Sequence, residues 1–279
     1  MKRATILLAL LFVAADASAQ WQDLLRKGAA IKEKVDKGAR VAKALTREFT
    51  EEEEVALGRI VAARILATYP LADDPDLQKY VGLVGRTLVP YSTRPALDWH
   101  FAVLDTPVVN AFSAPGGYVF VTTGALDHME SEAELAAVLG HEIAHATEKH
   151  ILREIKRANV VTEGLNLAQS ELGRGDLTDE LARKISDLAY EKLFNTGIGR
   201  QEELDADRIG AALAADAGYA SSAYEHFLRE LDALARGNES VFAQLASTHP
   251  RPEDRLDAIQ AALDPNGVTV AERWAAMGH

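Results

Sequence analysis

Residues Ser131–His150 read SEAELAAVLGHEIAHATEKH. Ser131 is followed three positions later by Glu134, a capping-box pattern that predicts the start of a helix. No proline interrupts the segment, so the helix should continue through both His141 and His145. Because these two histidines are four residues apart, their imidazoles project from one face of the helix, close enough to bind the same tetrahedral metal ion.

Glu142 completes the pattern H-E-x-x-H, in which two histidines bind zinc and the glutamate acts as a general base. The glutamate lies beside the metal rather than on it, where it can take a proton from water and pass it to a leaving amine. The chain has no cysteine, so a transition metal must be bound by histidine and carboxylate groups. The pattern is short enough to occur by chance, so it does not identify a zinc site by itself. A catalytic zinc site has three protein ligands, and the sequence must therefore supply a third one.

His150 is the nearest candidate for that ligand, nine residues after His141. The longer pattern H-E-x-x-H-x-x-G-x-x-H places its last histidine ten residues along and turns the chain at a glycine, whereas Glu148 occupies the glycine position here. An uninterrupted helix would carry His150 away from the metal. The sequence therefore disfavours His150 as a ligand.

Glu203 and Asp207 are a better choice, within GRQEELDADRIGAALAADAG. They are four residues apart in a helical pattern and share one face. Glu203 would supply the third ligand, and Asp207 would accept a hydrogen bond from the outer ring nitrogen of a metal-binding histidine. A solvated acidic helix face is the alternative, since acidic residues are abundant in this chain.

The composition indicates a chain that can bury a sizeable core, since 48% of its 279 residues are hydrophobic. The net charge of −12 predicts no nucleic-acid partner, because nucleic-acid-binding domains are typically basic.

Thr50 before a run of glutamates and the pattern from Pro75 to Val89 predict two helices. LDWHFAVLD and GGYVFVTTG predict strands of a small sheet. Because the pattern is again helical from Ser131 onward, we expect an α+β, mainly helical domain over residues 49–279.

Residues 1–19 have the features of a secretory signal peptide, a basic start and a short apolar run that ends at an A-x-A pattern. A cleaved signal would place the protein in a bacterial periplasm, and an uncleaved anchor is the alternative. Residues 20–48 form a basic, weakly helical segment, with eight basic and four acidic side chains between residues 21 and 48. This segment either contacts a membrane surface or an outer-membrane assembly, or lies on the domain with its charges solvated.

Four motifs occur in order between Phe49 and Ala262: NAFSAPGGYVFVTTGAL, the H-E-x-x-H helix, RQEELDADRIG and STHPRPEDRLDAI. Together they resemble the family forty-eight zinc metallopeptidases. The resemblance implies a gluzincin-like, mainly helical metallopeptidase domain with a small β-sheet beside the zinc helix. It also implies one zinc ion per chain and a site composed of the ligands His141, His145 and Glu203, the general base Glu142 and the ligand-contacting Asp207.

Two later residues gain a role only through this resemblance. His249 would lie near the active site, where it either stabilises the tetrahedral intermediate or approaches the zinc and blocks it until substrate displaces it. The alternative is a loop histidine that caps a turn before Pro250. Arg255 would hold this loop or a nearby carboxylate, with an ordinary surface ion pair as the alternative.

The turn Pro115–Gly117 and the apolar segment after it predict how a substrate would bind. If Gly117, Tyr118 and Val119 form an exposed edge strand beside the cleft, an extended peptide can pair with them through main-chain hydrogen bonds. An interior strand is the alternative. Together with the resemblance, this predicts a zinc metalloendopeptidase that hydrolyses unfolded or misfolded envelope proteins in periplasmic quality control. The alternative function is a latent or non-catalytic, zinc-binding chaperone-like module on the same fold.

Overall fold

The computed structural model describes residues 49–157, 186–220, 222–237, 249–250, 252, 255–256 and 259. The expected signal peptide and the basic segment, residues 1–48, lie outside the described residues, so both stay predictions. Within the described part of the chain, no helix combines the length and the apolar character needed to span a membrane.

Two helices precede the sheet, as the sequence predicts. Helix α1, Glu51–Thr68, begins at Thr50, whose hydroxyl accepts from the Glu53 backbone while the Glu53 carboxylate accepts from the Thr50 backbone. Helix α2, Pro75–Leu88, starts with proline and is capped by the Asp74 side chain, and a short 3₁₀ turn, Val89–Tyr91, follows it. Both starts satisfy backbone N–H groups that an uncapped helix would leave unpaired.

The sheet has three strands, β1 (His100–Leu104), β2 (Ala111–Ala114) and β3 (Tyr118–Thr122), in the order β1-β3-β2. β1 is parallel to β3, and β2 is antiparallel to it. Strand β2 is not recognisable from the sequence, because four residues are too short to show an alternating pattern. The two other strands lie in the segments predicted for them.

The expectation that Gly117, Tyr118 and Val119 form an edge strand is wrong. Tyr118 and Val119 belong to the central strand β3, which pairs with β1 on one side and with β2 on the other. Gly117 lies in the turn before it, and its carbonyl accepts from the His100 backbone at 2.9 Å. Because both edges of β3 are hydrogen-bonded to other strands, an incoming peptide has no backbone groups to pair with there.

The remaining regular elements of the described chain are helical. The elements are α3 (Thr123–Leu126), α4 (Glu132–Thr147), α5 (His150–Arg157), a π-helical turn (Lys192–Thr196), α6 (Arg200–Asp216) and α7 (Ser222–Gly237). The Ser131 hydroxyl caps α4 by accepting from the Glu134 backbone, as the sequence predicts, but the Glu134 carboxylate accepts from the Glu130 backbone instead of completing a capping box. The fold is thus the expected α+β, mainly helical one.

The core has two parts, one on each face of the sheet. Val119 and Val121 pack in the part that contains α2, α4, α6 and α7, whereas Phe120 packs in the part that contains α1, α5 and residues 189–194. This alternation follows from strand geometry, since successive side chains point to opposite faces. Every residue of α4 from Glu134 to Thr147 is buried, so the H-E-x-x-H segment lies inside the protein rather than on a solvated face.

One buried carboxylate connects α1 to the turn before β3 and to the end of α4. Glu54 is fully buried, and its Oε1 accepts from Arg94 Nη1 at 2.6 Å and from the Gly116 backbone at 3.3 Å. The ammonium group of Lys149 lies 3.1 Å from its Oε2. Lys149 occupies the turn between α4 and α5 with a left-handed φ of 56°. Glu54 therefore contacts both the glycine turn before β3 and the turn that follows α4.

Replacing Glu54 by alanine should lower the free energy of unfolding by about 3 kcal/mol, the lower end of the range for breaking a buried ion pair, since Lys149 is partly exposed. Urea denaturation measures this change. Glu51→Ala is the matched control, because Glu51 belongs to the same helix and lies 3.4 Å from the same Arg94 but is 69% exposed. Its cost should stay under about 1 kcal/mol. Equal costs for the two variants would contradict the role assigned to Glu54.

Candidate metal centre and active site

The site forms where α4 crosses α6 at two glycines. A Cβ atom on Gly140 would lie 2.7 Å from the Gly210 carbonyl oxygen, and one on Gly210 would lie 2.4 Å from the His141 backbone nitrogen. Neither position can accept a side chain without moving a backbone. The two helices therefore contact each other through their backbones, which brings Glu203 and Asp207 of α6 opposite the histidines of α4.

Four side chains converge at this crossing. His141, His145, Glu203 and His249 each offer one potential ligand atom, and these atoms all lie within 4.8 Å of one another. The two histidine Nε2 atoms of α4 are 2.9 Å apart. Glu203 Oε1 lies 3.4 Å from His145 Nε2, and Glu203 Oε2 lies 3.6 Å from His141 Nε2. The solvated acidic face, the alternative for this segment, does not describe Glu203 or Asp207, because both are fully buried.

The donor set fits zinc. Zinc binds imidazole nitrogen and carboxylate oxygen at about 2.0–2.2 Å, so ligand atoms around a tetrahedral ion lie about 3.3 Å apart, close to the separations found here. Asp207 accepts the Nδ1 proton of His141 at 2.8 Å, so the neutral form of His141, which is the form that binds a metal, carries its lone pair on Nε2, the atom next to His145. Glu203 Oε1 is buried and has no hydrogen-bond donor among the described residues. A cation satisfies all of these atoms together.

Asp207 is held by a buried network behind His141. Besides His141 Nδ1, its carboxylate accepts from the Tyr224 hydroxyl at 2.8 Å and from Arg255 Nη2 at 2.6 Å and Nε at 3.0 Å. Arg255 Nη2 also donates to the Tyr224 hydroxyl. The arginine is itself only 4% exposed, so the surface ion pair that the sequence left open does not describe it. Tyr224 belongs to no motif, and sequence reasoning missed it.

This network sets the charges around the first histidine. Burial lowers the pKa of His141, but the hydrogen bond and charge of Asp207 outweigh burial and raise it to about 9. Burial would raise the pKa of Asp207, but the charge of Arg255 and the hydrogen bond from His141 hold it well below its usual range. Asp207 is thus an anion, which strengthens the hydrogen bond that it accepts from His141.

The other two candidate ligands on the helices, His145 and Glu203, differ in charge: the imidazole is neutral and the carboxylate is negative. Burial lowers the pKa of His145 well below its usual value, which favours the neutral imidazole that binds metals. Burial would raise the pKa of Glu203, but the charge of His249 and the hydrogen bond from it lower the pKa well below its usual range. His249 Nδ1 donates to Glu203 Oε2 at 2.7 Å, so His249 belongs to the cluster rather than capping a distant turn.

Glu142 is buried next to His141 on α4. It lines a cavity of about 30 Å³ together with His141, His249, Asn110 and Phe227. That volume holds about two water molecules. Burial raises the pKa of the Glu142 carboxyl group, and the Ser113 hydroxyl of β2 hydrogen-bonds to it. A carboxylate with a raised pKa beside a water-sized cavity is suited to receive and release a proton.

His150 does not join the ligand cluster, in agreement with the sequence, but the reason differs from the expected one. Helix α4 ends at Thr147, before it reaches His150. The chain then turns at Lys149, and His150 is the first residue of α5. The turn carries its imidazole back to the zinc helix, where its Nδ1 lies 2.6 Å from His145 Nδ1. No glycine or asparagine marks this turn in the sequence, so its position was not predictable from local signals.

Residues 75–263 match the family described as Peptidase family M48, which is more than half of the chain. The chain belongs to this family. Membership implies a bound metal ion, generally zinc, and agrees with the resemblance drawn from the four motifs.

Relatives in bacteria and mitochondria show the same similarity. The "Beta-barrel assembly-enhancing protease" of Yersinia pestis is 29% identical over 74% of this chain and 43% of its own length. The protein of that name in Escherichia coli K12 is 28% identical over 73% of this chain and 42% of its own length. "Mitochondrial metalloendopeptidase OMA1" of Schizosaccharomyces pombe is 33% identical over 66% of this chain and 52% of its own length. The chain thus spans about half the length of these relatives, or less.

The helix crossing makes a specific prediction for this M48 member. Gly210→Ala should cost about 2 kcal/mol of unfolding free energy, because the added methyl group forces the two helices apart. The same shift separates Glu203 from the histidines and should weaken zinc binding at least about tenfold. Urea denaturation and chelator competition measure the two effects.

Gly82→Ala is the matched control, since a Cβ at this glycine of α2 meets no atom within 4 Å. It should raise the free energy of unfolding by up to about 1 kcal/mol, the difference in helix propensity, and leave zinc binding unchanged. If Gly210→Ala bound zinc as tightly as Gly82→Ala, the crossing would not set the ligand distances.

Proposed function

We propose that the protein is a zinc-dependent metalloendopeptidase that binds one zinc ion per chain. The observation that carries the proposal is a buried glutamate, Glu142, beside a cluster of histidine and carboxylate ligands at the crossing of two helices. His141, His145 and Glu203 would hold the ion. A purely structural zinc site needs no base, so the position of Glu142 favours catalysis over a structural role.

Zinc at this site would supply a Lewis acid that activates water and polarises a peptide carbonyl group. Glu142 takes a proton from the attacking water and transfers it to the nitrogen of the departing amine. The raised pKa that burial gives its carboxyl group suits both halves of this transfer. Asp207 and Arg255 keep His141 in the tautomer whose Nε2 carries a lone pair.

Substrate would pair with β2 rather than with β3. Among the described strands, β2 has only one neighbour, and its first residue, Ala111, lines the cavity together with Glu142. An extended peptide added to this edge would pass beside the general base. Main-chain pairing depends little on side chains, which supports unfolded or misfolded polypeptides as substrates.

The cellular role follows from the N-terminal pattern and the relatives together. A signal peptide over residues 1–19 would deliver the enzyme to the periplasm. Two of the similar proteins are named for enhancing β-barrel assembly. We therefore assign the enzyme to quality control of misfolded or unassembled envelope proteins, with the basic residues 20–48 in contact with a membrane surface or an outer-membrane assembly.

Replacing Glu142 by glutamine should abolish proton transfer and reduce casein cleavage by at least about a hundredfold, the lower end of a general base contribution. Zinc content should remain equal to that of the wild type, because Glu142 is not a ligand. Digestion assays and metal analysis on the same preparations measure both. Binding of unfolded casein without cleavage by either protein would instead support the zinc-binding chaperone-like module.

His249 favours a second possibility, that the enzyme is latent until substrate arrives. Its imidazole lies within the ligand cluster and donates to Glu203, so it can occupy a coordination position that substrate or water would need. The opposite role, stabilising the tetrahedral intermediate, requires the same residue to be beside the reacting carbonyl group. The contact with Glu203 favours the blocking role.

His249→Ala should therefore raise casein cleavage, by about tenfold if the blocking contact contributes about 1.4 kcal/mol. Initial rates are compared at equal zinc occupancy, since His249 touches a ligand. Reduced cleavage at equal occupancy would reject latency and assign His249 to stabilisation of the intermediate.

A further inference from the structure

We propose that His150 is a positioning residue for the metal-binding His145, whose Nδ1–H group donates a hydrogen bond to His150 Nδ1. The inference rests on the metal centre of the proposed function and adds a residue that the H-E-x-x-H pattern does not contain. His150 is fully buried, and its ring lies 4.8 Å from that of His145 at an interplanar angle of 74°. The two Nδ1 atoms are 2.6 Å apart.

Only one proton can lie between two nitrogens at that distance, and the metal site decides which ring carries it. His145 Nε2 faces His141 Nε2 and Glu203 Oε1, so it must present a lone pair when it binds a cation. A neutral imidazole with a lone pair on Nε2 carries its proton on Nδ1. His145 is therefore the donor, His150 Nδ1 is the acceptor, and the proton of His150 lies on its Nε2.

The two ligand histidines are thus oriented by different groups. His141 donates to the Asp207 carboxylate at 2.8 Å, whereas His145 donates to a neutral imidazole. A ligand histidine needs an acceptor on its outer nitrogen to fix its ring and its tautomer. A second carboxylate beside His145 would add negative charge next to the buried Glu203. An imidazole acceptor orients the ring without that charge.

The burial of His150 supports a role for its Nδ1 atom as a hydrogen-bond acceptor. Its Nε2 atom is buried and has no hydrogen-bond partner among the described residues. A buried unpaired donor is unfavourable, and an apolar side chain would fill the same space without this penalty. The position of the ring is set by the left-handed turn at Lys149, whose ammonium group lies 3.1 Å from the buried Glu54.

Three variants separate positioning from packing. His150→Phe keeps the ring and removes the acceptor, and His150→Asn offers a carbonyl oxygen close to the place of the lost Nδ1. Leu152→Ala is the control, because Leu152 is a buried residue of the same helix that packs in the apolar cluster with Ile151 and Ile155. Zinc affinity is measured by competition with a chelator at fixed pH, and the urea midpoint is measured for each protein.

We expect His150→Phe to weaken zinc binding by about 10–100-fold, as the loss of a group that orients a ligand does. His150→Asn should restore most of that loss, and Leu152→Ala should lower the urea midpoint with zinc affinity unchanged. The inference is overturned if His150→Phe binds zinc as tightly as the wild type, or if Leu152→Ala weakens binding as much as His150→Phe. It is equally overturned if His150→Asn is no better than His150→Phe.

A measurement on the wild type does not depend on whether a variant folds. The nitrogen-15 NMR spectrum of the zinc-loaded protein distinguishes protonated from unprotonated ring nitrogens. The expected pattern is a protonated Nδ1 on His145 and a protonated Nε2 on His150. A proton on His150 Nδ1 would refute the inference while leaving the metal centre intact. Failure of the wild type to bind zinc would instead refute the proposed function itself.

Discussion

The contact between the backbones of α4 and α6 is the constraint on which the site depends. At Gly140 and Gly210 the helices approach as closely as two main chains can, so their separation is fixed by atoms that have no rotamers. Ligands from two distant parts of the sequence consequently face each other at metal-binding distances. The Asp207 network on one side of the crossing then only has to select ring orientations, because the helices already supply the spacing.

Most of the candidate metal ligands, and the candidate general base, could be predicted from the sequence. Helical periodicity combined with ligand chemistry points to His141 and His145, since both rules act within one or two helical turns. For Glu203 the spacing left a solvated acidic face as an equal alternative, and the resemblance to the peptidase family favoured the ligand. Tyr224 was not predictable, because its role comes from folding contact with Asp207 and Arg255 rather than from any pattern in its own segment. Local spacing identifies ligands, but not the residues that a tertiary contact recruits to them.

The sheet shows the same difference: the positions of two strands could be predicted from their own segments, but the order of the strands could not. The segments of β1 and β3 are evident from their composition, yet their order in the sheet is not, because a central strand and a buried edge strand have similar apolar content. The assignment of Tyr118 and Val119 to an edge failed for this reason. The turn at Lys149 could not be predicted from the sequence either, because a lysine rarely adopts a left-handed φ. Its contact with Glu54 joins residues that are far apart in the sequence.

Because the chain has no cysteine, the metal centre has a second consequence, which concerns the stability of the fold rather than catalysis. An ion bound to both His145 and Glu203 would connect two residues that are 58 positions apart in the sequence (203 − 145). Because such a site is not formed in the unfolded chain, the ion binds the folded state, and its binding free energy adds to the free energy of unfolding. In a chain without cysteine, the bound metal ion would thus contribute to stability in the way that a disulfide cannot, and removing it with a chelator should lower the free energy of unfolding.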